Sequence, residues 1–369
     1  MKTGQLSPQR RQTGAVLIMV LWTATILTIM VTVLAANVRL SATTAWHNRT
    51  GSEDLVAVMS TLNKAEMELI MERMPPPPDL ERILDDEGLQ RIPAYRFNGQ
   101  PLSLHYPADE DMVVRIYDHA GKINLNRIPR NNLRQIIERR LGPDHDPSRV
   151  DELLAAWTDW ADLNDQPVPG GAESQYYQSL EVPYRARNNP ELDSVEEMRL
   201  IRGFDALFEG VNLQAAFTIY GSGRTVNLNL ATREAMELLP GLDDDSIERI
   251  LSYREQRDFR NRGDVGQIVP LEQMSELSPW IGNNTSSYYS VYVYPRTEDE
   301  SAGRDAAVAD DEGGDAEEPP RVRQAYRQIL EVRSPTQRAT VLQVHPYGRL
   351  PDTSPPEVEL DLSGLGSQF

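Results

Sequence analysis

The chain has 369 residues, a formal net charge of −19, no cysteine and five scattered histidines. The length suits about two domains. The acidity argues against nucleic acid as a general partner, since phosphates demand a positive face. Without cysteine no disulfide holds the fold, and without an HExxH or Cys/His cluster nothing points to zinc.

Residues 1–14 carry Lys2, Arg10 and Arg11 and no acid, and the 22 residues from Ala15 to Ala36 carry no charge. As a helix rising ~1.5 Å per residue, that run spans a bilayer's hydrocarbon core. A cleaved secretory h-region is shorter, roughly 7–15 residues, so a retained transmembrane helix is expected. The basic leader keeps 1–14 in the cytoplasm and sends the body across the bacterial inner membrane, into the periplasm. A basic leader ending in Gly14 directly before such a span resembles the processing site of type IV pilins and type II secretion pseudopilins. That likeness implies cleavage by a prepilin peptidase between Gly14 and Ala15, with methylation of the new terminus. Most relatives of that kind carry Glu at the fifth mature position; here it is Met19.

After the span, Leu55, Met59, Leu62, Ala65, Leu69 and Ile70 recur at three- and four-residue steps, one apolar helical stripe. The proline run from Pro75 stops it. One helix is expected to run from the membrane onto a globular head, with Gly51 and the polar stretch around Asn48 as the points where it would bend. Strands are expected at "MVVRIYDHAG" (Met112), "AFTIYG" (Ala216), "SYYSVYVYP" (Ser287), "RQAYRQILEVRS" (Arg323) and "RATVLQVHP" (Arg338). The reading is an α+β fold: a pilin-like antiparallel α/β head over 37–121 and 284–350, with an inserted, mostly helical domain at 122–283. Residues 297–320 hold ten acids and one Arg, −9 of the total charge, and read as a disordered loop; 351–369 form a C-terminal tail.

Two segments repeat: "GKINLNRIPRNNLRQIIERRLG" at Gly121 and "RTVNLNLATREAMELLPGL" at Arg224. In each, the second Asn (Asn126, Asn229) is expected to cap a helix start. The second copy resembles the helix-hairpin-helix of competence-type, membrane-tethered DNA receptors. A DNA-binding hairpin would offer amides and basic side chains to phosphate, whereas the turn after Gly241 carries Asp243, Asp244 and Asp245. The hairpins therefore read as scaffold, with the DNA receptor as the alternative function.

The stretch from Ala155 to Phe204 is acidic and aromatic. Trp157 and Trp160 sit near a helix end, and Asp159, Asp162 and Asp165 are spaced by three, roughly one helix face. A Pro/Gly loop follows, then Glu173 and Tyr176-Tyr177. Carboxylates without Cys or His suit a hard cation such as Ca²⁺, with Asp162, Asp165 and Glu173 the first candidates and Asp159 next. Helix caps and a solvated acidic face account for the same residues equally well. No nucleophile–base set and no phosphate-binding loop is present, so no enzyme is expected.

The leader without its acidic fifth residue, the paired Asn-x-Asn segments and "DW-x-D…GAE-x-x-YY…PYRARN…S-x-x-E-x-R-x-x-x-G" together resemble the general secretion pathway protein K family, the largest minor pseudopilins of type II secretion systems. The resemblance implies calcium in the soluble region and a tip complex with minor pseudopilins I and J that initiates the pseudopilus. It further implies contacts with the major pseudopilin and the inner-membrane secretion platform, with the secretin and secreted substrates as further candidate partners. A tip subunit has no neighbour ahead of it whose terminal amine must be neutralised, which would account for Met19.

Overall fold

The computed structural model describes residues 13–75, 96–102, 104, 112–296 and 324–351. The leader before Thr13, the acidic block 297–320 and the tail from 352 lie outside the described residues. Contact clustering divides the chain into two units, Met1–Ala57 and Val58–Phe369.

The first unit is the N-terminal part of helix α1 (Thr13–Glu72). Its apolar stretch has a mean hydropathy of 2.4, long and apolar enough to cross a membrane. Thr23, Thr25, Thr28 and Thr32 turn their hydroxyls onto carbonyls three or four residues back, so the polar groups of an otherwise apolar surface are satisfied within the helix. Gly51 does not break the helix, which continues past it to Glu72.

In the second unit the end of α1 buries Leu62, Ala65 and Leu69, the later part of the stripe expected from their spacing, whereas Leu55 and Met59, earlier on the helix, are exposed. Just past the helix, Arg73 donates to the Tyr289 hydroxyl at 2.9 Å, and Glu66 meets Arg338 at 3.3 Å, which lays this end along the sheet. The sheet has five strands in the order β1-β2-β5-β6-β7: β1 (Asn98–Pro101), β2 (Met112–Asp118), β5 (Tyr288–Pro295), β6 (Gln324–Glu331) and β7 (Thr340–Arg349). Every neighbouring pair is antiparallel. Tyr117 and Tyr292 pack edge-on at 5.5 Å in a cluster with Val113, Tyr294, Ala325 and Leu350.

Between β2 and β5 the chain builds the helical region. The segment from Ala216 contributes only a two-residue strand, β4 (Phe217–Thr218). It pairs in parallel with β3 (Ile123–Asn124) and stays apart from the five-stranded sheet. The insert is joined to the sheet by buried polar groups. His119 bridges Thr218 Oγ1 at 2.7 Å and Ser290 Oγ at 2.8 Å, and Lys122 Nζ donates to the Gln214 carbonyl and to the same Ser290 hydroxyl. Burial holds His119 well below its ordinary pKa and pulls Lys122 down to about 7.

The repeat is a structural duplication. In copy one, α2 (Arg130–Leu141) and α3 (Pro147–Ala161) form a hairpin; after the short helices α4 (Ser174–Gln178), α5 (Phe204–Leu207) and α6 (Leu213–Ala216), α7 (Arg233–Leu238) and α8 (Asp244–Gln256) do the same in copy two. Each hairpin turns through a left-handed glycine, Gly142 (φ 86°) or Gly241 (φ 79°), and starts its second helix with an aspartate cap, Asp146 or Asp243. The role expected for the second Asn of each motif needs correction. Helices α2 and α7 are preceded by Pro129 and Thr232, and it is the first Asn (Asn124, Asn227) that accepts a local amide, from Asn126 and Asn229, both at 3.1 Å. The second Asn clasps a distant backbone instead. Asn126 binds the amide and carbonyl of Leu192, and Asn229 those of Phe259.

Candidate metal centre

Helix α3 is started by Asp146, whose carboxylate accepts from the Ser148 amide, with Pro147 at the first helical position, where its missing N–H costs nothing. Its apolar face (Val150, Leu153, Leu154, Trp160) is buried, and the helix stops at Ala161 with an extended Asp162 as its C-cap. Trp160 packs edge-on against Tyr177 at 5.1 Å, and Tyr177 stacks on Tyr184 at the same distance. This aromatic wall holds the end of α3 against α4 (Ser174–Gln178), which Glu173 precedes.

One carboxylate oxygen each from Asp159, Asp162 and Glu173 lies within 4.8 Å of the others. Asp159 is fully buried and Glu173 is 2% exposed. Asp159 Oδ1 accepts from the Val168 amide at 3.1 Å, but no donor among the described residues reaches its Oδ2 or either oxygen of Glu173. Burial, then the charges of Asp159, Asp162 and Asp165, push Glu173 up to about 7; burial likewise raises Asp159 against the pull of the Val168 amide. Three converging carboxylates, two of them (Asp159 and Glu173) with orphaned, desolvated oxygens, need either protons or a cation.

The fourth candidate stands aside. Asp165 is exposed and accepts from the Ser174 amide at 3.2 Å. Because the helix ends before Asp162, the three-residue spacing does not carry Asp165 onto the face of Asp159. Its charge still bears on Glu173.

One contributor carries no chemistry of its own. Val168–Gly171 is a turn closed by the Gly171 amide on the Val168 carbonyl at 2.8 Å, with Pro169 and left-handed Gly170 at its centre. A Cβ on Gly171 would fall 1.9 Å from Asp159 Oδ2, so only glycine leaves room for that oxygen. The signal in the sequence is the Pro-Gly-Gly run ahead of Glu173.

An all-oxygen donor set with no nitrogen or sulfur fits a hard cation, and the orphaned oxygens fit being bound by one. Asp159, Asp162 and Glu173 would hold it; once bound, the ion would neutralise the cluster and tie the end of α3 to the start of α4.

The other positions singled out in the sequence lie elsewhere. Gly14 and Ala15 fall in the first turns of α1, and Met19 is an exposed residue of the same helix. At the second hairpin, Asp243 accepts from the Ser246 amide at 2.8 Å and from Gln273, so an acid occupies the helix start where a phosphate would bind.

Residues 121–208 match the family described as type II secretion system (T2SS), protein K. The chain is similar to the type II secretion system protein K of Pectobacterium carotovorum subsp. carotovorum, 26% identical over 178 residues, covering 42% of this chain and 53% of that protein. It is similar to the protein K of Klebsiella pneumoniae, 29% identical over 147 residues, covering 36% and 44%. The chain thus spans about half the length of the curated relatives it matches. A chain in the crystal structure of the GspK-GspI-GspJ complex from the enterotoxigenic Escherichia coli type 2 secretion system aligns at TM-score 0.46 and 16% identity, over 81% of this chain and 99% of that one. All four candidate carboxylates lie inside that family match, so over residues 121–208 this chain is similar to type II secretion system protein K.

Proposed function

We propose that this chain is a minor pseudopilin of a bacterial type II secretion system, held in the inner membrane by a single span at 15–36 with its body in the periplasm. There it forms the tip of the pseudopilus with minor pseudopilins I and J, initiates assembly onto the major pseudopilin, and supports protein export across the outer membrane. The observation that carries this is the match of residues 121–208 to the protein K family behind a long apolar N-terminal helix. The role is structural: the chain's residues bind and position partners. Met19, in place of an acid, suits a subunit with no neighbour ahead of it, and the large insert between β2 and β5 would crowd a shaft of closely repeating copies. Calcium at Asp159, Asp162 and Glu173, with Asp165 alongside, would rigidify that insert.

The test is co-purification of the full-length chain, extracted in detergent, with co-expressed I and J. A stoichiometric ternary complex is expected, and loss of the chain should reduce pseudopilus initiation and secretion. Recovery without either partner, or fibres built of this chain alone in electron micrographs, would sink the proposal.

A further inference from the structure

Glu197 is a buried acid at the centre of a polar knot beside the metal centre. It is 8% exposed. Its Oε1 accepts from the Trp160 indole at 2.9 Å; its Oε2 accepts from Arg187 at 2.6 Å and from the Asp193 amide at 2.9 Å. Its own amide donates to Ser194 Oγ at 3.2 Å. Every oxygen is satisfied and the charge is paired, which such burial demands.

The duplication supplies an internal control. In copy two the equivalent acid is Asp264, which accepts from the Arg260 amide at 2.8 Å while its own amide donates to Asn261 Oδ1 at 3.2 Å. Local capping therefore needs only an aspartate. The clasped residues tell what differs. Asn229 reaches Phe259, three residues past the end of α8, whereas Asn126 reaches Leu192, with the whole metal-bearing loop lying between α3 and that point. Glu197 is one methylene longer than Asp264, and its additional bonds run to the two ends of that loop. Trp160 sits in the last turn of α3, between Asp159 and Asp162. Arg187 lies on the returning segment, and its neighbour Asn188 donates to the carbonyl of Asn164, two residues past Asp162.

We propose that Glu197 is a positioning residue of the metal centre: through Trp160 and Arg187 it holds the outgoing and returning ends of the loop, so that Asp159, Asp162 and Glu173 converge before a cation arrives. Groups outside the ligand set that fix ligand orientation raise affinity by lowering the reorganisation that binding requires. The inference rests on the calcium reading above.

The experiment is a calorimetric titration of the full-length protein in detergent micelles with CaCl₂, beside thermal melts in chelator. Glu197→Asp keeps the amide cap, as Asp264 does, and loses the reach to Trp160 and Arg187. Its calcium affinity should fall about tenfold, together with a lower calcium-free melting temperature, because the Trp160 indole and Arg187 lose their acceptor. Arg187→Met, which releases only the returning end and keeps the aliphatic stem, should weaken calcium in the same direction and carries the test if Glu197→Asp does not fold. Parental affinity in both variants would overturn the positioning role, as would a lowered calcium-free melting temperature at unchanged affinity. A parent that takes up no calcium would instead overturn the calcium reading and this inference with it.

Discussion

Asn126 and Asn229 perform the same act in the two copies of one unit. Each accepts a distant backbone amide at 2.8 Å and donates to the carbonyl of that same residue, Leu192 for one and Phe259 for the other. A single side-chain amide thereby replaces a strand partner for a segment that has none. Asn229→Ala would leave both backbone groups of Phe259 without their partner, at a cost of about 1–3 kcal/mol each where water cannot reach. Thermal unfolding should show a clear drop in melting temperature with calcium binding retained. An unchanged melting temperature would mean that the clasp contributes nothing.

Glu173 gives the calcium-free protein a pH dependence with a definite sign. Its folded pKa of about 7 lies above the ordinary 4.5, so between those values the folded form keeps a proton that the unfolded chain has released. Stability from this group is full below the ordinary value and is lost as pH rises through about 7. Asp118, also raised to about 7 by burial, acts in the same direction, whereas His119 and Lys122, both lowered by burial, act in the opposite one. In chelator, the share of stability due to Glu173 should be lost between pH 5 and pH 8, and calcium should restore that share at pH 8. Glu173→Gln therefore isolates the site: it should flatten part of the slope. Identical slopes in variant and parent would rule Glu173 out as the source.

Gly171→Ala tests whether Asp159 Oδ2 needs the space it occupies. The added methyl would stand 1.9 Å from that oxygen, so the carboxylate or the turn must shift. The expected cost is about 1–3 kcal/mol of stability together with weakened calcium binding in titration. Gly142, in the turn before α3, where a Cβ meets nothing within 4 Å but φ is 86°, serves as a control: Gly142→Ala should destabilise through backbone strain and leave calcium binding unchanged.

Processing is tested by mass spectrometry of the membrane form. Cleavage after Gly14 should leave Ala15 as an N-methylated terminus. A chain beginning at Met1, or one cut beyond Ala36, would contradict the pseudopilin reading.

The elements that sequence made legible are those whose signal is local. Alternation located β2, β5, β6 and β7, and three- and four-residue spacing located Leu62, Ala65 and Leu69. Asp159 and Glu173 were identifiable because chemistry alone singles out acids amid aromatics. Spacing failed at Asp165 because α3 ends four residues earlier, at Ala161, where a C-cap changes the chain's direction. The clasps of Asn126 and Asn229 were misread as caps because their partners lie far along the chain, beyond any periodicity. Glu197 stood in a quoted motif without a role, since its three partners come from separate segments.

The carboxylate of Asp118, where β2 ends, accepts from the amide of Ser286, two residues before β5 begins. Those two strands are antiparallel neighbours in unbroken register, from Met112 opposite Pro295 to Asp118 opposite Tyr289. Geometrically, then, the sheet is an ordinary meander, and the helical insert with its candidate metal centre hangs from the tip of one hairpin. Its two attachment points are already side by side, so a short turn could close the hairpin in its place. The backbone pairing of β2 with β5 uses no residue of the insert, so an exchange of what is hung there would have to replace only side-chain contacts such as those of His119 and Lys122 with Ser290.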